Sequence, residues 1–143
     1  MESKALEVTE AYSAERSTAP RVTLDSMRAN IAYEAYFTVW DAIASIEYTD
    51  DEGESSLLVA SRPTDMGQVY TQLGILTLCV LTMRNGFTII GKSAPASSEN
   101  FDAEKGRTFA FEDAIRQLWP LEGYLLRDRL SNVPEAPPAS DQA

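Results

Sequence analysis

The chain has 143 residues, 44% of them hydrophobic and 24% charged, and a formal net charge of −10. These values are typical of one soluble domain with a core of its own, and the acidity argues against nonspecific binding to DNA phosphates. No apolar run reaches the ~18 residues of a membrane-spanning helix, and the polar N-terminus does not resemble a signal peptide.

The chemistry-bearing residue types are few. The sequence contains no histidine, which excludes Ser–His–Asp and Cys–His catalysis and histidine-bound metals. The one cysteine, Cys79, lies in the apolar run LTLCVLTM, so an internal disulfide is impossible and a buried thiol is expected. No glycine-rich phosphate loop is present. We therefore expect neither an enzyme nor a bound metal or cofactor.

The two ends of the chain are predicted to be flexible tails. Residues 1–20 are polar and lack a sustained period, and residues 131–143 are rich in Pro, Ala and Ser. The folded unit is then a single domain over 21–130. The pattern predicts an α+β fold, in which N-terminal and C-terminal helices pack on a small antiparallel sheet centred on a hairpin.

The first predicted helix begins at Leu24, with Thr23 as its N-cap. Leu24, Met27, Ile31 and Ala35 continue it as a helical stripe. Thr38, followed three residues later by Asp41, resembles a capping box for a second helix over about 39–46. The two helices are either separate or one bent helix.

An acidic group follows at Asp50, Asp51, Glu52 and Glu54, around Gly53. It does not fit a calcium loop, because placing Gly53 sixth puts Tyr48 first and Val59 twelfth, where Asp and Glu are needed. One interpretation is a solvated turn between two short strands, SIEYT and LLVAS. The other is a protein-binding surface that attracts a basic partner, since residues 1–65 hold 13 acidic and five basic side chains.

The strongest local pattern is the hairpin QLGILTLCVLTMRNGFTIIGKS. Asn85-Gly86 favours a two-residue type I′ turn, which places Thr82 opposite Ile89 and Leu81 opposite Ile90. Both faces of this hairpin are largely apolar, which favours cover on both sides or a homo-oligomer.

A long polar loop, SAPASSENFD, then leads into a helix capped by Asn100 or Asp102. Phe111, Ala114, Ile115 and Leu118 form its inner stripe, and Pro120 is expected to kink it or to begin a new helix. Side chains on and around the loop form an alternative ligand-binding set, in which cations and hydroxyls could hold a phosphate-bearing molecule: Phe87, Lys92, Ser97, Ser98, Asn100, Lys105 and Arg107.

Several sequence segments occur in an order that is typical of a known protein family. LTLCVLTMRNGFT, ASSENFD, Gly106 and LWPLEGYLL resemble a family of small tailed-phage proteins, typified by gene product 49 of coliphage N-four and gene 66 of Shigella phage Sf-six. The resemblance covers most of 20–130 and implies a phage or prophage gene expressed in the bacterial cytoplasm. It implies no particular function. The stretch 45–70 departs from the family pattern by being longer and more acidic.

The leading functional hypothesis is an accessory protein that binds, and thereby inhibits, a host or anti-phage defence protein. The first alternative is an oligomeric sponge that sequesters a nucleotide signal. The second alternative is a structural or assembly protein. No direct DNA or membrane partner is expected.

Overall fold

The structure, a computed structural model, describes residues 1–44 and 66–134. Helices pack on a three-stranded antiparallel sheet of order β1-β2-β3, which confirms the predicted α+β class. The described elements are α1 (Lys4–Ala14), α2 (Leu24–Asn30), β1 (Ile31–Thr38), α3 (Val39–Ala44), α4 (Met66–Ile75), β2 (Thr77–Met83), β3 (Thr88–Ser93), a short 3-10 turn (Ser98–Asn100) and α5 (Ala103–Ser131).

The two predicted N-caps are confirmed. The Thr23 hydroxyl accepts the Ser26 N–H at 3.0 Å, and Ser26 returns a bond to the Thr23 N–H. Thr38 and Asp41 form the same reciprocal pair, at 3.1 and 3.3 Å, so α3 begins as expected. These caps depend only on residues three apart, which is why the local sequence is enough to find them.

The predicted helical stripe beyond Asn30 is wrong. Residues 31–38 form β1 instead, and β1 pairs antiparallel with β2, with Tyr36 opposite Cys79. The segment IAYEAYFT has a helical spacing and is also rich in β-branched and aromatic side chains, which favour strands, so its sequence fits both states. Pairing with the apolar strand β2 decides between them, because it satisfies backbone groups of β1 and places Ile31 and Tyr36 against the core, where they are partly buried.

The predicted hairpin turn is also wrong, by one residue. Gly86 has a positive φ of 85°, and no residue other than glycine has a positive φ in the described part of the chain. Gly86 N–H bonds to the Met83 carbonyl at 2.9 Å, and Met83 N–H to the Phe87 carbonyl at 2.8 Å. The loop therefore has three residues, with a bulge at Gly86, and not a type I′ pair.

The extra loop residue shifts the register, so that Leu81 lies opposite Ile89 and Val80 opposite Ile90. A shift of one residue moves side chains to the other face of the sheet. Ile89 and Gly91 consequently join Cys79 and Leu81 on the face that meets the helices. Ile90 lies on the opposite face and is 56% exposed.

Helix α5 covers the inner face of β2 and β3. Its predicted stripe is confirmed, since Phe111, Ala114, Ile115 and Leu118 are all buried. The helix approaches β3 most closely at Gly91, where a Cβ atom would collide with the Ala110 carbonyl and lie 2.6 Å from the Ala114 N. Only glycine permits this packing distance.

The cap of α5 is Asp102, whose carboxylate accepts the Lys105 N–H at 3.0 Å, so one of the two predicted caps is confirmed. The helix continues through Pro120 to Ser131, and the alternative of a new helix beginning at Pro120 is wrong. Proline removes one donor from the helix, but Pro120 is exposed, so the carbonyl that it leaves unpaired can be solvated.

The edge of β3 is also covered by α5. The Lys92 N–H donates to the Asp113 carboxylate at 3.0 Å, and the Gln117 amide donates to the Ile90 carbonyl at 2.9 Å. Two side chains one helical turn apart thus bond the backbone groups that a fourth strand would otherwise use.

The N-terminal segment packs on the domain where a flexible tail was expected. Helix α1 spans Lys4–Ala14, and Leu6 is only 5% exposed within the core cluster. The buried Ser3 hydroxyl donates to the Glu112 carboxylate of α5, and Glu10 accepts the Leu24 N–H at 3.1 Å. Few apolar residues anchor α1, which explains why its sequence has no strong period. The domain limits of 21–130 stay a prediction.

Among the described residues, no helix combines the length and the apolar character needed to span a bilayer. The acidic group at Asp50, Asp51, Glu52 and Glu54, and the expected strands SIEYT and LLVAS, lie outside the described residues.

Candidate functional site

The C-terminal half of α5 extends beyond the sheet that its first half covers. Its 29 residues measure ~44 Å at 1.5 Å each, whereas the seven residues of β2 measure ~23 Å. The last buried residue of the helix is Leu118. Apolar side chains nevertheless continue to its C-terminal end, and Leu121, Tyr124 and Leu125 are 44%, 74% and 39% exposed.

These side chains form one wall of a groove of about 350 Å³, and the hairpin loop after β2 forms the other. We call it the turn–helix groove. Met83 and Leu118, both buried, also line it, and Phe87 contributes an aromatic ring that is 53% exposed. An apolar concavity on the surface of a small domain is a common form of binding site.

Polar residues also line the turn–helix groove. The Arg84 side chain donates from Nε to the Ala29 carbonyl at 2.6 Å, and the Arg84 backbone N–H donates to the Asn30 carbonyl at 2.8 Å. Asn30 in turn donates to the Glu122 carboxylate at 3.1 Å. Within the described part of the chain, no carboxylate forms an ion pair with Arg84 or Arg129, although both line the groove.

Sequence reasoning did not identify Leu121, Tyr124 and Leu125 as site residues. Two facts were needed to identify them: that the helix continues through Pro120, and that the sheet is shorter than the helix. The sequence does indicate this exposed surface, because the apolar stripe of α5 is longer than any strand that could cover it. Residues of the segments RNGF and LWPLEGYLL line the groove, and the family resemblance also rests on these segments.

A second concavity, of about 290 Å³, lies where α5 begins, and we call it the aromatic cavity. Tyr36, Trp40 and Phe101 contribute rings to its lining, together with the side chains of Asp41 and Arg107. The Trp40 ring also contacts the Tyr70 ring at 4.2 Å between centroids, which joins α3 to α4 beside the cavity.

Thr77 lines the aromatic cavity and is 3% exposed. Its hydroxyl is buried and has no hydrogen-bond partner among the described residues. Helix α5 approaches this hydroxyl closely at Gly106, where an added Cβ would lie 2.8 Å from it. A buried hydroxyl without a partner is costly, so a bound molecule that bonds to it would gain affinity.

Neither concavity brings the predicted loop set together. Ser97 caps the 3-10 turn by accepting the Glu99 N–H, which matches a structural role. Ser98 and Asn100 lie exposed in that turn, and the Lys105 ammonium lies 3.9 Å from the Asp102 carboxylate. Of the predicted set, only Arg107 lines the aromatic cavity.

The first turn of α5 is a poor anion site because Asp102 already occupies it. The hydrogen bond from the Lys105 N–H lowers the pKa of the Asp102 carboxyl below its ordinary value, so a fixed negative charge lies where a phosphate would bind. Phe87 is separated from the loop by the whole of β3, whose six residues span ~20 Å, and it lines the other concavity.

No cluster of acidic or cysteine side chains within 1–44 and 66–134 is arranged to hold a metal ion. The acidic group at 50–54 is not placed relative to either concavity, since it lies outside those ranges.

Residues 22–130 match the model of a family described as "Phage protein (N4 Gp49/phage Sf6 gene 66) family". The match covers well over half of the chain and agrees with the resemblance found in the sequence segments. No curated protein and no solved structure matches the chain.

Proposed function

Because the chain belongs to this family of phage proteins, we propose that it is a non-enzymatic accessory protein that acts in the cytoplasm of the infected host. It binds a host or anti-phage defence protein and thereby inhibits it. The observation that carries this proposal is the turn–helix groove, an apolar concavity whose side chains extend past the core of the domain.

Burial of the exposed apolar side chains at the groove would favour binding. Burying a large apolar side chain completely contributes ~1.5–3 kcal/mol, and four such side chains at the groove are between 39% and 74% exposed. The groove walls are a hydrogen-bonded hairpin and a continuous helix, so little conformational entropy is lost when a partner binds. The absence of histidine from the chain also favours binding over catalysis.

The test is quantitative capture from infected cells with the full chain as bait. Tyr124→Ser with Leu125→Ser removes the exposed groove wall, and the control is Tyr12→Ser, a residue of α1 that lies outside the groove and is 58% exposed. We expect a host or defence protein to be retained by the wild type and the control, and to be reduced at least tenfold with the groove variant. Equal retention by all three would contradict the proposal.

The acidic group at Asp50, Asp51, Glu52 and Glu54 is proposed as a second contact that attracts a basic region of the same partner. Each exposed charge pair contributes only ~0.2–1 kcal/mol, so the four charges should act together on the association rate. Replacing all four with Asn or Gln should slow association and reduce its dependence on salt. An unchanged association rate would remove this contact from the proposal.

The aromatic cavity favours one alternative, the capture of a nucleotide signal. Aromatic rings, the Arg107 cation and the unpartnered Thr77 hydroxyl suit a ring-bearing anionic molecule. This alternative predicts that the protein purified from infected cells releases a nucleotide on denaturation, and that Arg107→Gln abolishes its retention. Mass spectrometry of the released fraction decides between the two functions.

A further inference from the structure

We propose that the turn–helix groove binds a short acidic peptide segment of its partner, one in which large apolar side chains are flanked by carboxylates. The inference rests on the proposed protein-binding function and names the chemistry of the segment that occupies the groove.

The size of the groove favours a peptide segment over a broad protein face. Its volume of about 350 Å³ is at the lower end of the range of ligand sites, enough for a few side chains. Met83 and Leu118 are 5% and 3% exposed, whereas Phe87 and Tyr124 remain largely open. Apolar anchors that enter between these two rings would displace water from both walls at once.

The charge at the groove determines the flanks of the segment. The backbone N–H of Arg84 donates to the Asn30 carbonyl, and its side chain is held by the Nε bond to the Ala29 carbonyl, which leaves the terminal guanidinium nitrogens available to a ligand. The carboxylate that lines the groove, Glu122, is already bound by Asn30. Arg84 and Arg129 form no ion pair with a described residue, and guanidinium groups bind carboxylates in a paired geometry.

This local excess of positive charge contrasts with the chain as a whole, whose formal net charge is −10. A long polyanion such as nucleic acid would bring many phosphates into the negative field of the rest of the molecule. A short segment with two or three carboxylates would place them beside the arginines and meet much less repulsion. Complementarity at the groove therefore favours the peptide.

The experiment is selection from a random peptide library on the immobilised full chain, followed by affinity measurement of the enriched peptides. We expect these peptides to combine two or more large apolar residues with Asp or Glu, and to lose binding to the Tyr124→Ser, Leu125→Ser variant. A peptide in which each acid is replaced by Lys should bind at least tenfold more weakly.

A matched pair of charge reversals isolates the contribution of the groove arginine. Arg129→Glu changes a residue that lines the groove, whereas Arg127→Glu makes the same change on the same helix at an exposed position outside it. The selected peptides should bind Arg129→Glu at least tenfold more weakly, and Arg127→Glu within about threefold of the wild type, a limit set by general screening.

Four outcomes would overturn the inference. Peptides that need the groove but are neutral or basic would reject the acidic segment and leave the proposed function intact. Equal losses for the two charge reversals would assign the effect to the general field and not to the groove. Self-association abolished only by groove variants would show a second copy to be the occupant. If no selected peptide depends on the groove, both the inference and the function proposed for the groove fail.

Discussion

The single thiol of the chain illustrates how one residue reports on the core. Cys79 is fully buried in β2, and desolvation raises the pKa of its thiol from an ordinary 9.0 to about 11. The folded protein therefore holds this proton at pH values where the unfolded chain has lost it. By linkage, the stabilisation is complete below pH 9 and decreases as the pH rises towards 11.

We expect native Cys79 to resist thiol reagents at pH 8 and to react after denaturation. The free energy of unfolding should be lower at pH 10 than at pH 8, with Cys79 contributing about 1 kcal/mol of the difference. Burial also raises the pKa of Tyr36, which acts in the same direction, so Cys79→Ala should reduce the pH effect without removing it. Urea titrations at the two pH values measure both changes. Rapid labelling of the native thiol would contradict its burial.

We predict opposite effects on stability when two glycines of the domain are each replaced by alanine. Gly91→Ala forces a methyl group into the backbone of α5 and should destabilise the protein by ~3 kcal/mol or more. Gly123→Ala, inside α5 with nothing within 4 Å of the new methyl group, should stabilise it by ~0.5–1 kcal/mol. Thermal unfolding of the two variants provides the comparison. Equal effects would mean that α5 does not approach β3 as described.

At the scale of elements, α1 acts as a part of the domain. Removing residues 1–20 exposes the surface beneath Leu6 and removes the Ser3 hydroxyl from the buried Glu112 carboxylate. Among the described residues, Glu112 then keeps Arg116 as its side-chain partner, at 3.4 Å. We expect the shortened chain to lose several kcal/mol of stability. Leu6→Ala should cost ~2–4 kcal/mol, whereas Val8→Ala, on the exposed face of α1, should cost less than ~0.5 kcal/mol. Unfolding in urea tests all three; a shortened chain as stable as the full one would mean that α1 is a tail after all.

The elements differ in how far their own sequence determines them. Thr23, Thr38 and the stripe of α5 are identified from spacing alone, because a cap or an amphipathic face is a local property. Residues 31–38 are not, because their spacing fits a helix and a strand, and only the apolar partner β2 decides. Asn85-Gly86 predicts a turn but not the length of its loop. A difference of one loop residue changes the register of the hairpin. The turn–helix groove depends on the relative lengths of α5 and the sheet, a relation between elements that no single segment contains.

At the scale of the whole molecule, the sheet has a second face opposite α5. By register, this outer sheet face carries Tyr33, Ala35, Phe37, Leu78, Val80 and Ile90. Tyr33 and Ile90 are 66% and 56% exposed. We expect it to mediate a symmetric homodimer, because a pairing of like apolar faces is self-complementary.

The dimer is tested by sedimentation at micromolar concentration. Tyr33→Glu with Ile90→Glu should yield a monomer that keeps the melting behaviour of a folded domain, since both side chains lie outside the core. The control is Val8→Glu, which adds a like charge at an exposed position of α1. A wild-type protein that sediments only as a monomer would reject the prediction.

The bonds from Asp113 and Gln117 to the backbone of β3 carry a consequence for synthesis. Helix α5 is the last of the described elements to be translated, so the β3 edge and the apolar inner face exist before their cover does. At ~5–20 residues per second, the 29 residues of α5 take roughly 1.5–6 s to add. Until α5 has emerged and packed against it, the hairpin has an open strand edge, which is the form most exposed to pairing with another chain. The order of the elements therefore makes this interval the one in which the protein most needs dilution or a chaperone.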